Sequence, residues 1–343
     1  MSSTNDRKQD DIACTNADIA KEFARLQQII VSACRQEFPK QTAGHSDFDA
    51  STLQQKLKLH TNNYSELVTA VDINLSRIIL AAAREALQQS YSEEELPTEP
   101  STADLLWQID PLDGTDEFAQ GLTHFCGVSA ALLRRKENGS YQAIAGIIYI
   151  PAQELLLCAD LLNSTLVIQE NGINITTRVE ETYKATETQI ANKKNRANET
   201  GTAANEGEQS ILRGYQRAID SNQEVESYYQ TLAQKLNLKA ETIHCGGAAH
   251  GFAALVLGKI NVLCFNYDYS KEWDVAAAQP IIEALGGFVC DLTGQEISYS
   301  KSYNKSKKAQ DHFNRQGFIA SIVFSKEQIL PEDIDALLLR RLD

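Results

Sequence analysis

The segment Trp107-Gln108-Ile109-Asp110-Pro111-Leu112-Asp113-Gly114-Thr115-Asp116-Glu117-Phe118 constrains this chain more than any other. A short apolar strand, Leu105 to Ile109, delivers Asp110 at its end. Pro111 removes a backbone donor and fixes φ, and Gly114 permits a tight turn. Asp113 then lies close enough to Asp110 for both carboxylates to face one point. The chain enters a helix over Thr115 to Gln120, whose first N–H groups have no intrahelical partner and sit at the positive end of the dipole. One turn can therefore offer carboxylates to a divalent cation and N–H groups to a phosphate. An ordinary Asp-capped turn uses the same residue types, since Asp-Pro and Asp-Gly pairs are common in turns. The rest of the chain has to decide between the two.

Bulk properties narrow the choice. The chain has 343 residues, with 32 Lys plus Arg against 46 Asp plus Glu and a formal charge of −14. That length suits two domains or one large two-part domain. The acidic balance argues against a nucleic-acid polymer as partner, because counterion release needs clustered cations. It argues equally against docking on an anionic membrane. A small phosphorylated molecule stays compatible if something local supplies positive charge. No apolar run reaches the roughly 18 residues of a transmembrane helix. Met1 to Asp11 is polar with no apolar signal core, so a cytoplasmic location is expected. The cysteines at 14, 34, 126, 158, 245, 264 and 290 form no C-x-x-C and sit mostly in apolar company. They read as buried reduced thiols rather than as a zinc site or a catalytic thiol.

Along the chain, residues 1–17 read as a disordered leader. A first helix is expected from Asp18, a plausible N-cap, to Phe38, burying Ile19, Phe23, Leu26, Ile30 and Cys34. Residues 39–66 read as loop with some helix. A second helix follows Asp72, with Ile73, Ser76, Ile79, Leu80, Ala83 and Leu87 as its stripe. After the polar stretch Gln88 to Thr102, a block of antiparallel sheet is expected. It comprises Gly127–Leu133, Ala143–Ile150, Leu155–Ala159 and Thr165–Gln169, with Asn171-Gly172 as a hairpin turn. The N-terminal part thus runs over 18–180, and 181–210 is a polar insertion. The C-terminal part, 211–343, alternates. Helices are expected at 224–236, 247–257 and 274–285, and strands near 241–245, 260–265 and 287–291. The basic run Lys301, Lys305, Lys307 and Lys308 reads as a solvated loop. Gly317–Phe324 is a buried strand and Pro331–Leu342 a terminal helix.

Three more acidic segments accompany the first. Glu93-Glu94-Glu95 alone would be a solvated loop. Asp274, in Trp273-Asp274-Val275-Ala276-Ala277, opens a helix that Gly286-Gly287 stops and Pro280 tightens or kinks, and by itself is a cap. Val68-Thr69-Ala70-Val71-Asp72 is another capped helix.

In this order the four segments resemble the inositol monophosphatase superfamily of magnesium-dependent, lithium-sensitive phosphatases. That family's pattern is V-T-x-x-D, an E-E pair, D-P-[IL]-D-G-T, then W-D-x-A-A with a later Gly-Gly. The resemblance spans about residues 18 to 325. Leu112 and Glu117-Phe118, Gly146-Ile147-Ile148-Tyr149-Ile150-Pro151, and Cys245-Gly246-Gly247-Ala248 with Gly258-Lys259 look most like the 3′(2′),5′-bisphosphate nucleotidase branch.

The resemblance implies an α/β fold: an α+β N-terminal part and an α/β C-terminal part in a layered αβαβα sandwich, with the site between them. It implies two or three Mg²⁺ held by Glu93, Asp110, the Leu112 carbonyl, Asp113 and Asp274. Asp72, Thr115 and Glu93 become the catalytic set, with Thr115 bonded to Asp72 and orienting a metal-activated water. The amides of Gly114 and Thr115 would hold phosphate, and Gly247, Ala248 and His250 would touch substrate. His250 and His124 could equally be packed side chains. Glu94 competes with Glu93 as the first metal ligand, and Glu99 is a third choice. A phosphate ester is the implied partner, with homodimerisation common in the family. Adenosine 3′,5′-bisphosphate leads, followed by inositol phosphate, histidinol phosphate and sugar phosphates. Asp116 stands where bacterial members often carry Lys. It would repel a doubly phosphorylated ligand by about 1 kcal/mol in a solvated setting. A catalytically weak scaffold that keeps the fold is the non-enzyme alternative.

Overall fold

Helix α1, Asn16–Glu37, starts one turn earlier than expected. Its N-cap is Thr15, not Asp18. The Thr15 hydroxyl accepts the Asp18 N–H at 3.2 Å, and the Asp18 carboxylate accepts the Thr15 N–H at 3.0 Å. This reciprocal box satisfies two end donors where a lone Asp18 cap would satisfy one. The expected face, Ile19, Phe23, Leu26, Ile30 and Cys34, is buried. The structure, a computed structural model, describes residues 15–38, 56–59, 65–86, 89–96, 101–186, 188, 210–219, 222–265, 270–299 and 317–330. Most of the leader, the Lys301–Lys308 run, Glu99, Leu87 and the terminal helix at Pro331–Leu342 lie outside these.

Where loop with some helix was expected, β1 (Lys56–Leu59) and β2 (Ser65–Val68) form an antiparallel pair. Lys-Leu-Lys-Leu is a period-two pattern, too short to stand out inside a polar stretch. Helix α2, Ala70–Ala86, buries Leu75, Ser76, Ile79, Leu80 and Ala83, but leaves Ile73 45% exposed. Asp72 points inward at 2% exposure. Its successor, about 100° further round the helix, must face out.

The seven-stranded sheet has the order β3-β4-β5-β6-β7-β8-β9. Its strands are β3 (Ser90–Ser92), β4 (Leu105–Asp113), β5 (Gly127–Arg135), β6 (Tyr141–Ile150), β7 (Leu155–Asp160), β8 (Thr165–Glu170) and β9 (Ile173–Asn174). Apart from parallel β3/β4, neighbours are antiparallel. Strand β3 falls inside the polar Gln88–Thr102 stretch. It holds because Tyr91 is buried and the buried Ser92 hydroxyl meets that of Ser76 at 2.6 Å. Asn171 and Gly172 both have positive φ, 52° and 75°, as a two-residue hairpin turn of this hand requires.

The helical residues 176–186, α4, run into the segment expected to be a polar insertion. Ile175, Val179 and Tyr183 recur at four-residue spacing and are buried. The Tyr183 hydroxyl donates to the Leu255 carbonyl. Residues 189–209 lie outside the described set.

The second sheet runs β11-β10-β12-β14-β13. Its strands are β10 (Ile211–Arg217), β11 (Lys239–Cys245), β12 (Val262–Phe265), β13 (Phe288–Cys290) and β14 (Phe318–Ser321). Strand β10 was not anticipated. Gly214 and polar residues break its apolar run, and Gly214 is required because a Cβ there would lie 2.3 Å from the Tyr229 ring. Helices α5 (Gln223–Lys235), α6 (Ala248–Val256), α7 (Glu272–Ala276), α8 (Ala278–Ala284) and the short α9 (Lys326–Ile329) complete the described part. The helix expected at 274–285 is two helices, joined at Ala277 just before Pro280.

These elements stack in five layers. Helices α1 and α2 share one core with the outer face of the large sheet, through Leu26, Ile79, Trp107 and Ile147. Helices α6, α7 and α8 fill the middle between the two sheets, through Phe252, Val275, Ile281 and Phe318. Helix α5 covers the far face of the small sheet, through Tyr228, Tyr229, Val262 and Ile319. The fold is thus the layered αβαβα arrangement.

Candidate active site

A break in strand pairing builds the centre of the site. Along β4, Asp110 pairs with Ser129 and Asp113 with Gly127, so Pro111 and Leu112 oppose the single residue Val128. In a regular strand, residues three apart face opposite sides of the sheet. The extra residue brings Asp110 and Asp113 back to one side. It also accommodates Pro111, which has no N–H for the ladder. The Asp110 Oδ1 accepts the Leu112 N–H at 3.1 Å, which braces the bulge.

Gly114 then turns with φ of 87° and caps α3, Thr115–Ala119. The Thr115 hydroxyl lies 2.9 Å from the Leu112 carbonyl and 3.0 Å from Asp72 Oδ1. Its single proton is shared between these acceptors. Asp72 is fixed in turn, because its Oδ2 accepts the Thr69 N–H at 2.7 Å and also the Thr69 hydroxyl. Burial pushes the Asp72 carboxyl up to about 6, against the Thr69 and Thr115 hydrogen bonds that favour its charged form.

Two further helix starts supply the rest. Asp113 accepts the Ala248 N–H at 3.1 Å and the Ala249 N–H at 2.8 Å, one on each oxygen, at the start of α6. Asp274 occupies the third position of α7 and accepts the Lys271 N–H at 2.7 Å. It is therefore not the N-cap; Lys271 holds that place. Carboxylate oxygens of Asp110, Asp113 and Asp274 all lie within 4.8 Å of one another. Burial pushes Asp113 up to about 7. Asp110 and Asp274 are also held well above the ordinary carboxylate range, first by burial and then by the neighbouring carboxylates. Three mutually repelling carboxyls, those of Asp110 and Asp113 buried and that of Asp274 half-buried, are all oxygen donors and fit a hard divalent cation. Such a cation would relieve both the repulsion and the desolvation. The acidic triad is therefore a candidate metal site.

Glu93 reaches the same region. Its N–H donates to the Ile109 carbonyl at 3.1 Å, extending the β3/β4 pairing, and its carboxylate meets Lys271 Nζ at 2.9 Å. Glu95 turns away to Arg84 at 2.6 Å.

The residues expected to touch substrate also make contacts within the protein. The Ala248 amide is committed to Asp113. Gly247 backs onto the same carboxylate, with space for no Cβ, which would stand 2.3 Å from Asp113 Oδ2. The His250 Nδ1 accepts the Gly246 N–H at 3.2 Å, and its Nε2 lies 2.9 Å from the Gln153 side-chain amide. Burial and nearby Lys259 and His124 push this imidazole down to about 4, so it stays neutral. The glycine-rich turn thus braces Asp113, and His250 braces the turn at Gly246.

Sequence reasoning missed two cations. Arg217, the last residue of β10, pairs with Glu117 at 2.8 and 2.7 Å and reaches Asp116 at 3.3 Å. Its missed strand hid it. Lys271 sits beside Glu272 with no spacing rule to mark it. The cysteines at 34, 126, 158, 245, 264 and 290 are buried and unpaired with one another, and burial raises their thiols, so none is poised as a nucleophile. Cys14 lies outside the described residues.

Known proteins share both sequence and fold with this chain. "Nus factor SuhB" of Pasteurella multocida is 29% identical over 248 residues, which cover 71% of this chain and 76% of that protein. The "Fructose-1,6-bisphosphatase/inositol-1-monophosphatase" of Thermotoga maritima is 25% identical over 250 residues, covering 70% and 77%. The crystal structure of CysQ from Bacteroides thetaiotaomicron, a bacterial member of the inositol monophosphatase family, superposes with a TM-score of 0.57 at 19% identity, covering 90% of this chain and 98% of that one. The family model described as "Inositol monophosphatase family" matches residues 14–327. With that match running through all four acidic segments and nearly the whole length, the chain belongs to the inositol monophosphatase family.

Proposed function

We propose that this family phosphatase is a Mg²⁺-dependent phosphomonoesterase whose preferred substrate is a 3′(2′),5′-bisphosphate nucleotide such as adenosine 3′,5′-bisphosphate. The observation that carries the phosphatase reading is the convergence of Asp110, Asp113 and Asp274 within 4.8 Å, beside the Thr115–Asp72 hydrogen bond. Those three carboxylates, Glu93 and the Leu112 carbonyl would hold two or three Mg²⁺. When bound, Mg²⁺ supplies Lewis acidity that makes water a nucleophile near neutral pH and offsets charge on the phosphate and leaving oxygens.

The chain's own residues supply position and proton handling. Thr115, fixed between Leu112 and Asp72, orients the attacking water. Asp72, held at about 6, is basic enough near neutral pH to take its proton through the Thr115 hydroxyl. The Gly114 and Thr115 amides hold the phosphate. Within the lithium-sensitive pattern, Li⁺ inhibits.

For the substrate, the bisphosphate reading draws on the Glu117-Phe118 that follows the D-G-T. Arg217 reaches Asp116 at 3.3 Å, but its charge is shared with Glu117, so Asp116 keeps a net repulsion toward a second phosphate. Inositol phosphate, histidinol phosphate and fructose 1,6-bisphosphate are the ranked alternatives.

The test is phosphate release from adenosine 3′,5′-bisphosphate, inositol 1-phosphate, histidinol phosphate and fructose 1,6-bisphosphate, with Mg²⁺ and with or without Li⁺. Turnover fastest on the nucleotide and suppressed by Li⁺ is expected. A faster inositol or sugar substrate overturns the substrate assignment. Silence on all four under saturating Mg²⁺ favours the scaffold. Asp113→Asn should abolish release, and full activity in that variant refutes the metal role.

A further inference from the structure

Two adjacent glycines lead into the helix that holds Asp113. Gly246 and Gly247 enter α6, and the first amides of that helix, those of Ala248 and Ala249, donate to the Asp113 carboxylate at 3.1 and 2.8 Å. With no side chains, a Gly-Gly unit rotates more freely than other residue pairs. Asp113 would inherit that freedom unless something outside the turn removed it. The Gly246 N–H goes to His250 Nδ1 at 3.2 Å, but His250 belongs to α6 and moves with it. The Gly246 carbonyl accepts the Tyr215 hydroxyl at 2.6 Å, and Tyr215 belongs to β10. This second bond ties the turn to the small sheet. On the opposite side a Cβ at Gly246 would lie 2.0 Å from the Phe125 carbonyl oxygen, so the turn is gripped from both halves.

Tyr215 is itself held rigidly. It is 3% exposed, and its ring stacks on Phe265 with centroids 4.8 Å apart. Gly251 of α6 lies so close that a Cβ there would stand 2.7 Å from the Tyr215 ring. The Tyr215 N–H donates to the Tyr229 hydroxyl at 3.2 Å, which also accepts the Cys264 N–H of β12 at 3.1 Å. Burial raises the Tyr215 phenol well above the ordinary tyrosine value, so it stays protonated and donates. A rigid donor on a sheet strand thus fixes the most freely rotating part of the chain beside the acidic triad.

We propose that Tyr215 is a positioning residue for the metal centre: its hydroxyl fixes the Gly246–Gly247 turn and, through the Ala248 and Ala249 amides, sets the Asp113 carboxylate for a divalent cation. Its effect is indirect. Groups that orient a metal ligand without touching the metal typically account for about 10- to 100-fold in metal affinity. This inference deepens the metal reading given under Proposed function and rests on it.

The test compares two buried tyrosine hydroxyls. Tyr228, 2% exposed, donates to the Ile329 carbonyl at 2.7 Å on the far face of the small sheet. Full-length wild type, Tyr215→Phe and Tyr228→Phe are stripped by chelator and titrated with Mn²⁺ alone, and free Mn²⁺ is read by electron paramagnetic resonance. Urea denaturation reports whether each chain is folded under the binding conditions. Each variant loses one oxygen and one buried hydrogen bond, so the structural insult is matched. Tyr215→Phe should weaken Mn²⁺ binding roughly tenfold, whereas Tyr228→Phe should stay within about twofold of wild type.

Equal Mn²⁺ affinity in Tyr215→Phe and wild type overturns the positioning role and leaves the metal reading standing. Equal weakening in the two variants also overturns it, because a general loss of stability then accounts for both. A Tyr215→Phe chain that does not fold, beside a folded Tyr228→Phe, overturns it as well, since the hydroxyl would then hold the fold rather than the site. If wild type itself binds no Mn²⁺, the metal reading falls and takes this inference with it.

Discussion

The Arg217 guanidinium closes a two-point ion pair on the buried Glu117 carboxylate, at 2.8 and 2.7 Å. Glu117 belongs to α3, directly after the D-G-T turn, and Arg217 ends β10 in the other sheet. The pair ties the phosphate-side turn to the C-terminal half. The side chain of Glu117 is 0% exposed and that of Arg217 26%. Removing one partner leaves the other charge buried and uncompensated. Arg217→Met should therefore lower unfolding free energy by about 3 kcal/mol, measured by urea denaturation. A loss within about 0.5 kcal/mol would show the pair to be solvated in practice.

Gly247 is the tightest approach to the site carboxylates, because a Cβ would stand 2.3 Å from Asp113 Oδ2. Gly247→Ala must move that carboxylate or the start of α6. Phosphate release should fall about 100-fold, the usual effect of a misplacement near 1 Å. Mg²⁺ titrations of activity should show a matching rise in the metal concentration required. Unchanged kinetics would mean that Asp113 can shift without consequence.

The Thr115 side chain contributes a hydroxyl whose oxygen makes both contacts, to Leu112 and to Asp72. Thr115→Val should cost 10²- to 10⁴-fold in turnover at saturating Mg²⁺, the range for loss of proton-handling groups. Thr115→Ser keeps the oxygen and should retain most activity. Equal damage in the two variants would point to packing instead.

Stability should depend on pH in a direction set by the buried carboxyls. Asp72 is raised to about 6 and Asp113 to about 7, from an ordinary 3.8. A raised folded-state value means the protonated form suits the fold. The contribution is complete below about pH 4 and is lost as pH climbs through 6 and 7. The metal-free chain should thus melt higher near pH 5 than near pH 7.5, and Asp113→Asn should flatten the slope. A divalent cation favours the ionised forms, so the rise in melting temperature on adding Mg²⁺ should be larger near pH 7.5 than near pH 5. Calorimetry at both pH values, with chelator or Mg²⁺, checks this, and the reverse order would contradict the buried-carboxyl account.

The αβαβα layering is what the family resemblance implies; residue order alone determined the four acidic segments and most of the antiparallel sheet. Those are local or periodic properties. An Asn-Gly hairpin and alternating apolar strands announce themselves within a few residues. Only the tertiary structure decided which groups serve one another. Glu93 meets Lys271 across 178 positions of chain, and Arg217 meets Glu117 across 100. No spacing rule reaches that far. Elements whose stability comes from burial rather than pattern were equally hidden. Strand β3 survives on Tyr91 and a Ser92–Ser76 contact, and α4 on Val179 and Tyr183. The Gly247-Ala248-His250 turn shows the same limit from the other side. Its sequence marks a place near the chemistry, and only the fold shows that the Ala248 and Ala249 amides reach Asp113 and the imidazole reaches Gly246. Backbone donors go to whichever acceptor the fold brings within reach, and that is settled only once the two halves close on each other.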